Sequence, residues 1–260
     1  MLVQHEPNAR HSAEKVLEVL SAFVSLRSVL DVGCGLGVWL ETALARGIAE
    51  IEGIEGPWLD LTRLRVDPAR VQILDLEKGF DLGRRFDLVI CLEVAEHLYE
   101  SAADGFIDSL TRHAPLVLFS AAIPFQMGHH HVNERFLPYW VPFFARRGYE
   151  LLDLVRPKIW DDPEVLVYIR QNVVLFAHES AIIGNERLRT AAEKKDDARL
   201  LSVVHPDYWV LRHNEFGAKV AELQRLTDYL KQGGMFQVTF GPKGEVIVTR
   251  VAAPPSVNPS

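Results

Sequence analysis

A short apolar strand that runs into three alternating glycines is the feature that most constrains how this chain folds. Residues 29 to 37 read Val-Leu-Asp-Val-Gly-Cys-Gly-Leu-Gly, and a helix is predicted to start at the last glycine. Glycine is needed there because a Cβ would block both the tight turn and the approach of backbone N–H groups to a ligand. Glu55 ends the next predicted strand, where a carboxylate can accept two hydrogen bonds from a ribose diol. The combination predicts a site for a nucleoside cofactor.

The spacing of the glycines indicates which cofactor this is. A dinucleotide fingerprint, G-x-G-x-x-G, would place its third glycine at position 38, where this chain has Val38. The observed pattern is D-x-G-x-G-x-G, with Asp31 two residues before Gly33. This pattern resembles motif I of the class I S-adenosylmethionine-dependent methyltransferases, and the resemblance implies S-adenosylmethionine as the cofactor.

Composition limits the size of the fold and the kinds of partner. The chain has 260 residues, 48% of them hydrophobic, which is enough for one large domain or one domain with an appendage. Its formal net charge of −7 argues against a general nucleic-acid binder. The N-terminus lacks the pattern of a signal peptide, and no stretch approaches the about 18 apolar residues of a membrane span. We therefore expect a soluble, cytoplasmic protein that does not enter the membrane.

Strands and helices are predicted to alternate along the first two thirds of the chain. This alternation is typical of βαβ units, and it predicts a parallel, doubly wound α/β sheet with right-handed crossovers. Two later apolar runs are predicted to form a final antiparallel hairpin. The predicted strands lie at 28–32, 50–55, 71–75, 86–91, 115–120, 149–156 and 165–177, and the predicted helices at 12–23, 37–46, 57–65 and 101–113.

A C-terminal extension of mixed α+β type is predicted to follow the sheet domain. Residues 187–199 are charged and predicted to be helical, and residues 216–231 place apolar side chains at helical spacing. Residues 236–251 alternate around a Gly-Pro-Lys-Gly turn, which predicts a hairpin. The predicted organisation is thus a cofactor-binding domain at 1–180, an extension at 181–253 and a disordered tail at 254–260.

Residues 28 to about 178 resemble a complete class I methyltransferase core. Besides the glycine turn, the resemblance rests on Glu55, on Asp75 and on the segment from Phe86 to Leu98. A further string, Tyr168–Asn172, is similar to one in bacterial and phage methyltransferases of unassigned substrate. The resemblance implies a seven-stranded sheet of order 3-2-1-4-5-7-6 in which strand 7 is antiparallel.

The resemblance also implies roles for individual residues in binding the cofactor. Asp31 and the glycines Gly33, Gly35 and Gly37 would lie at its methionine end, and Glu93 beside the methionine moiety. Glu55 would hold the ribose hydroxyls.

The adenine contacts are implied at the end of the third strand. Asp75 would accept a hydrogen bond from the adenine amino group, and Leu76 would donate its backbone N–H to the ring. Carboxylates accept hydrogen bonds only, so they suit a diol or an exocyclic amine. For Asp75 an alternative interpretation is a carboxylate that caps a loop.

A metal site is a second implication of the resemblance. The segment Glu-x-x-Glu-His, matched here by Glu93, Glu96 and His97, binds a divalent cation in some members of the family, such as the small-RNA terminal methyltransferases and the ubiquinone-pathway O-methyltransferases. Two carboxylates and an imidazole can hold Mg²⁺ or Mn²⁺. In other members the same string only begins a helix beside the cofactor, so both interpretations stay open.

Three consecutive histidines follow the fifth predicted strand. Loops at this edge of the sheet supply residues that bind the methyl acceptor, so His129, His130 or His131 could act as a general base or orient a hydroxyl. We favour His130 or His131. Two alternatives remain: the loop is solvated and Asn133 and Glu134 cap the next helix, or the histidines complete a metal site.

These features together predict an enzyme that transfers a methyl group from S-adenosylmethionine to a hydroxyl, or as a second choice to an amine, of a small molecule or glycan. Such transfer requires in-line positioning and, for a hydroxyl, a base. One alternative is a metal-assisted RNA-terminal methyltransferase, against which the acidic balance argues. Another is a non-catalytic module that binds the cofactor or a protein partner. The sequence does not indicate an oligomeric state.

Overall fold

The computed structural model describes residues 6–193, 201–231, 235–240 and 246–251. They group into two compact units, one ending at Tyr208 and the other beginning at Trp209. The predicted domain division at residue 180 falls inside the first unit, and as a statement about separate domains it stays a prediction. The predicted tail at 254–260 and the turn at 241–244 lie outside the described residues.

The first unit alternates strands with helices. Several short 3₁₀ helices lie in the connections, including Leu61–Arg63 and Leu137–Tyr139. In chain order the elements are α1 (Glu6–Ser21), β1 (Ser28–Val32), α2 (Val38–Ala45), β2 (Glu50–Glu55), β3 (Val71–Ile73), β4 (Leu88–Leu92), α3 (Ala103–His113), β5 (Leu116–Ser120), α4 (Val141–Ala145), β6 (Tyr149–Leu152), α5 (Arg156–Ile159), α6 (Val167–Asn172), β7 (Val174–His178), α7 (Glu179–Ile183), α8 (Glu186–Ala192) and the start of α9 (Pro206–Lys231).

The seven strands form one sheet of order β3-β2-β1-β4-β5-β7-β6. Strands β1 to β5 pair in parallel, whereas β7 runs antiparallel to both of its neighbours. The predicted order and the antiparallel strand 7 are confirmed. In this arrangement the carboxyl ends of β1, β2 and β4 lie side by side at one edge, which is where open α/β sheets bind their ligands.

Neighbouring residues of each strand face opposite sides of the sheet, so two cores form. Val29 and Ile90 pack on one side with α1 and α2, and Leu30 and Val89 pack on the other with α3 and α4. The helix α1 places Val16, Leu17 and Leu20 on its buried face, as the helical spacing predicts. The sheet is therefore covered on both faces, and the carboxyl ends of its strands remain as the place for a binding site.

Two predicted elements differ from the structure. The predicted helix at 57–65 is only the 3₁₀ turn Leu61–Arg63, because Asp60 accepts a hydrogen bond from the Thr62 N–H and closes a single turn. The predicted strand at 165–177 is wrong over its first half, which forms α6, and β7 begins at Val174. A short apolar run does not distinguish a strand from a buried helix. The last two strands do pair antiparallel, but α5 and α6 separate them.

The second unit contains most of α9 and a hairpin of β8 (Met235–Phe240) and β9 (Val246–Val251). The two strands are antiparallel, with Met235 opposite Val251, so the predicted hairpin is confirmed. The predicted helix at 216–231 lies within α9, and the described part of the predicted helix at 187–199 lies in α8. No helix in the described part of the chain is long and apolar enough to cross a membrane.

Candidate active site

The glycine turn after β1 has left-handed backbone at all three glycines. The φ angles of Gly33, Gly35 and Gly37 are 78°, 54° and 81°, a region that residues with a Cβ rarely adopt. A Cβ on Gly33 would also collide with the side chain of Val94. At Gly35 no atom lies within 4 Å of the position that a Cβ would take. The turn is thus closed towards β4 and open at Gly35, where a ligand can approach the backbone.

Glu55 ties the end of β2 to this turn. Its Oε2 accepts a hydrogen bond from the Gly35 N–H at 2.7 Å, and its Oε1 accepts one from the Gly56 N–H at 2.7 Å. The side chain is buried. Each carboxylate oxygen has two lone pairs, so both can accept a further hydrogen bond. The structure places Glu55 beside the glycine turn, as the resemblance implies, and its contact with ribose stays a prediction.

Asp31 is a buried carboxylate at the end of β1. It is 2% exposed, and its Oδ2 has no hydrogen-bond partner among the described residues. Burial, together with the neighbouring charge of Glu55, raises the pKa of Asp31 from 3.8 to about 8. Buried polar atoms are normally paired, so an orphan oxygen at this edge suits a ligand group that donates a hydrogen bond.

Asp75 lies on the surface, where it caps a turn. Its carboxylate accepts a hydrogen bond from the Glu77 N–H at 3.2 Å and pairs with the Lys78 Nζ at 3.0 Å. The Lys78 hydrogen bond and the Glu77 N–H hold the pKa of Asp75 below its usual value. The structure thus has the loop-capping role, with Leu76 buried behind it. The adenine contacts of Asp75 and Leu76 stay predictions.

Glu93 follows β4 directly, in strained backbone. Its φ is 56°, and its N–H donates to the Ser120 carbonyl at 3.1 Å and to the Ser120 Oγ at 3.0 Å. The side-chain amide of Gln126 donates to its Oε2, and Asn172 Nδ2 donates to its Oε1 at 3.0 Å. Burial raises the pKa of Glu93, and the Asn172, Ser120 and Gln126 hydrogen bonds oppose that rise.

A second carboxylate, Glu96, lies three residues further on and has no such partners. It is 0% exposed, and neither carboxylate oxygen has a hydrogen-bond partner within the described ranges. Burial and the neighbouring Glu93 raise its pKa well above the usual value. One ligand atom each from Glu96, His97 and His131 lie within 4.8 Å of one another. This group is able to hold a divalent cation or a polar substrate group.

His131 replaces Glu93 in the three-residue group that the sequence predicts for a metal. The resemblance implies Glu93, Glu96 and His97, whereas the oxygens of Glu93 are engaged with the two amides described above. The His131 ring meets the His97 ring edge-on, with 4.8 Å between centroids. Burial, then the neighbouring His131, lowers the pKa of His97.

The three histidines of the loop have different environments. His129 and His130 are exposed, and His130 has a left-handed φ of 62°. His131 is partly buried, and its Nδ1 lies 2.9 Å from Glu134 Oε1. The structure therefore brings His131 to the end of β4 and leaves His129 and His130 in solvent. Their catalytic roles stay predictions.

Glu134 organises the loop itself. Its carboxylate accepts the N–H groups of Phe125 at 2.8 Å and Met127 at 2.6 Å, besides its contact with His131. The alternative in which Asn133 and Glu134 cap the next helix is wrong, since neither the 3₁₀ turn after Phe136 nor α4 has a side-chain cap. Two backbone N–H groups of a strained loop, together with the His131 ring, attract the nearest carboxylate more strongly than a single short turn does.

Sequence analysis missed the two amides that hold Glu93. Asn172 belongs to the Tyr168–Asn172 string, for which the sequence indicated a family resemblance but no function. It contacts Glu93 from the end of α6. Gln126 had no signal, because it is one polar residue in a loop.

The geometry of this edge agrees with a family comparison. A family model described as a methyltransferase domain matches residues 5–154, which is more than half of the chain. The chain belongs to this methyltransferase family. It therefore contains a methyltransferase domain with a Rossmann-like fold, and the family that motif I indicates is confirmed.

Individual relatives match only parts of the chain. A ubiquinone biosynthesis O-methyltransferase of Neisseria meningitidis serogroup C (strain 053442) is 34% identical over 97 residues, covering 34% of this chain and 41% of the relative. One of Alkalilimnicola ehrlichii (strain ATCC BAA-1101 / DSM 17681 / MLHE-1) is 34% identical over 89 residues, covering 30% and 34%. The matched part thus spans less than half of these curated relatives.

A solved structure shows the same fold. DesVI of Streptomyces venezuelae has a TM-score of 0.50 and 16% identity, and the match covers 66% of this chain and 92% of that one.

Proposed function

We propose that this methyltransferase transfers the methyl group of S-adenosylmethionine to a hydroxyl, or as a second choice to an amine, of a small molecule or glycan. The observation that carries the proposal is the group of His131, His97 and Glu96 just after β4, two residues beyond Val94, which packs against the glycine turn. A hydroxyl is a weak nucleophile that needs a proton acceptor, and an imidazole held by a carboxylate supplies one. The printed names of the curated relatives, O-methyltransferases, support oxygen as the acceptor atom.

Within this proposal His131 accepts the proton of the acceptor hydroxyl. Glu134 Oε1 fixes its Nδ1, which orients the ring in the way that a base needs. The exposed His130 and His129 stay as predicted alternatives for the same role. The transfer itself needs the hydroxyl oxygen in line with the methyl carbon and the sulfonium sulfur.

Transfer of a labelled methyl group tests the proposal. Labelled S-adenosylmethionine is incubated with a panel of sugars, phenols and amines, and mass spectrometry identifies the methylated atom. We expect O-methyl products, and His131→Ala should lower turnover by about a hundredfold while cofactor affinity changes little. His213→Ala is the matched control, because its side chain is exposed on α9. Methylation of amines alone would contradict the hydroxyl acceptor and leave the second choice, and full turnover by His131→Ala would contradict the role of His131.

Metal-assisted transfer is a second candidate, favoured by one specific observation. The ligand atoms of Glu96, His97 and His131 lie within 4.8 Å of one another, and both oxygens of Glu96 lack hydrogen bonds to the described residues. These residues fit Mg²⁺ or Mn²⁺. When bound there, the ion would orient the acceptor hydroxyl and make it more acidic.

Chelation distinguishes the two candidates. Metal-assisted transfer predicts that turnover is lost after treatment with a chelator and returns with added Mn²⁺ in the wild type, but not in Glu96→Gln. Turnover that survives chelation supports the metal-free scheme.

The proposed acceptor also indicates the kind of partner. A small molecule or glycan is the expected ligand, and the net charge of −7 argues against RNA. The cytoplasmic location stays a prediction. A non-catalytic role is answered by the same labelling experiment, since a binding module would show no turnover with any acceptor.

A further inference from the structure

The helix α9 is exposed on all sides from Trp209 onwards. Every side chain that the structure describes on this part of the helix is exposed, apart from the half-buried Arg212. Gly217 lies in the middle of the helix, and no atom lies within 4 Å of the position that a Cβ on it would take. A helix without tertiary contacts is only marginally stable in water, and an internal glycine weakens it further. This part of α9 therefore needs a partner.

Four of the exposed side chains on α9 are large and apolar and follow a seven-residue repeat. Trp209, Phe216 and Leu223 are seven residues apart, and Val220 lies four residues after Phe216 and three before Leu223. These four side chains, which we name the α9 stripe, are between 48% and 69% exposed. A seven-residue repeat keeps such a stripe facing one partner helix along a left-handed coiled coil.

The residue types on the stripe indicate the number and direction of the helices. With the heptad positions labelled a to g, Phe216 and Leu223 occupy d, and Val220 and Thr227 occupy a. β-Branched residues at a with leucine at d favour two parallel helices. His213 takes the first a position, where a polar residue fixes the register at a cost in stability. The repeat therefore fits a second copy of the same helix.

The charges beside the stripe favour the same direction. Arg212 and Lys219 occupy g positions, and Gly217 and Gln224 occupy e positions. In a parallel pair each g residue lies beside an e residue of the other helix, so each cation meets an uncharged residue. In an antiparallel pair g positions lie beside g positions, which brings cations together. Repulsion between like charges therefore disfavours the antiparallel pair.

We propose that two copies of this chain pair through the α9 stripe as a parallel, two-stranded coiled coil. Four large apolar side chains from each copy would together bury on the order of 1,000 Å², which is the area that a specific interface needs. The pairing also supplies the contacts that the described part of α9 lacks in a single chain. This inference does not depend on the proposed methyl transfer.

The mass of the full chain in solution tests the pairing, measured by size-exclusion chromatography with light scattering. We expect the wild type to have twice the 29.3 kDa of one chain. Leu223→Glu and Val220→Glu should each halve that mass, because they place two unpaired carboxylates in the seam. Ala218→Glu is the matched control: it adds the same charge at an exposed f position on the opposite face and should keep the doubled mass. Thermal unfolding checks that all variants are folded.

Single cysteines test the direction of the helices. In a parallel pair each d residue lies beside its own copy, so Phe216→Cys and Leu223→Cys should each give a disulfide-linked dimer when a mild oxidant is added. The natural Cys34 and Cys91 are buried, so the wild type should stay unlinked. A link at only one of the two positions, or at neither, would overturn the parallel pair.

The mass measurement has three outcomes that would overturn the inference. A wild type with the mass of one chain at every concentration has no such interface. A doubled mass that both Leu223→Glu and Val220→Glu keep would show that another surface joins the copies. A mass of three or more chains would exclude the two-stranded pair. None of these results bears on methyl transfer, which the labelling experiment tests separately.

Discussion

Glu55 joins the glycine turn to β2 through both of its carboxylate oxygens. We expect Glu55→Ala to raise the dissociation constant of S-adenosylmethionine about ten- to a hundredfold, because a charged hydrogen bond is worth about 1.5–3 kcal/mol. Calorimetric titration measures the change. Glu50→Ala is the control, since Glu50 lies on the same strand in an exposed ion pair with Arg84. An unchanged constant for Glu55→Ala would contradict the role given to this residue.

Asp31 makes the stability of the cofactor-free protein depend on pH. The pKa of its carboxyl group is 3.8 in the unfolded chain and about 8 in the fold. Between these values the folded protein binds more protons than the unfolded chain, so the free energy of unfolding falls as pH rises. Asp31→Asn has no such proton to lose. The variant should therefore gain stability relative to the wild type on going from pH 5 to pH 8.

We expect this relative gain to be on the order of 3 kcal/mol, since each pKa unit corresponds to about 1.4 kcal/mol. Urea unfolding of both proteins at the two pH values measures it. A difference between variant and wild type that is the same at pH 5 and pH 8 would show that Asp31 is ionised in the fold throughout.

At this scale the residues that sequence analysis found are those whose partners are local or follow from strand order. The glycines and Glu55 meet because β1 and β2 are adjacent. Gln126 and Asn172 were missed because they reach Glu93 from 33 and 79 residues away. Which amide arrives there depends on the packing of the loop and of α6, and no spacing in the sequence records it.

At the scale of elements, α6 connects the site to the chain that follows β7. Arg170 is buried and donates to the Val165 and Trp160 carbonyls at 3.1 Å each, and it pairs with Asp207 at 3.0 Å. We expect Arg170→Ala to lower the free energy of unfolding by about 3 kcal/mol, since the Val165 carbonyl loses its donor, Asp207 loses its ion-pair partner and the core loses packing.

Urea unfolding measures this loss, with Arg146→Ala as the control. Arg146 makes an exposed ion pair with Asp104 at 2.8 Å, which should contribute about 1 kcal/mol or less. Equal losses for the two variants would mean that α6 is not anchored through Arg170.

The same element shows where the sequence pattern was ambiguous. Residues 165–169 are nearly all apolar, which fits a buried strand and a buried helix equally well. The next three residues, Arg170 to Asn172, are polar and buried in the helix, where each makes hydrogen bonds that the sequence does not reveal. The ends of strands β1, β2 and β5 were predicted almost to the residue, since a glycine turn, an acidic residue or a helical segment marks where each strand begins or ends.

At the scale of the whole molecule, the described residues divide between Tyr208 and Trp209. This division was not predictable, because one continuous helical pattern, α9, crosses it. The βαβ alternation predicted a parallel, doubly wound sheet, and the resemblance carried by four motifs implied the order of its seven strands.

Truncation tests the extent of the first unit. A chain ending at residue 208 should fold and bind S-adenosylmethionine. A chain ending at residue 180 should unfold at a lower temperature, because it lacks the buried Leu188, the Asn185 contact with the Phe23 carbonyl and the Arg170 partner Asp207. Circular dichroism during heating compares the two. Equal melting temperatures would show that residues 181–208 add nothing to the fold.

The most direct measurement of the central claim, that the glycine turn binds S-adenosylmethionine for methyl transfer, is a pair of calorimetric titrations of the wild-type chain. One uses S-adenosylmethionine and the other NAD. The turn spacing and the buried Asp31 predict binding of S-adenosylmethionine and no binding of NAD. Binding of NAD without binding of S-adenosylmethionine would contradict the account.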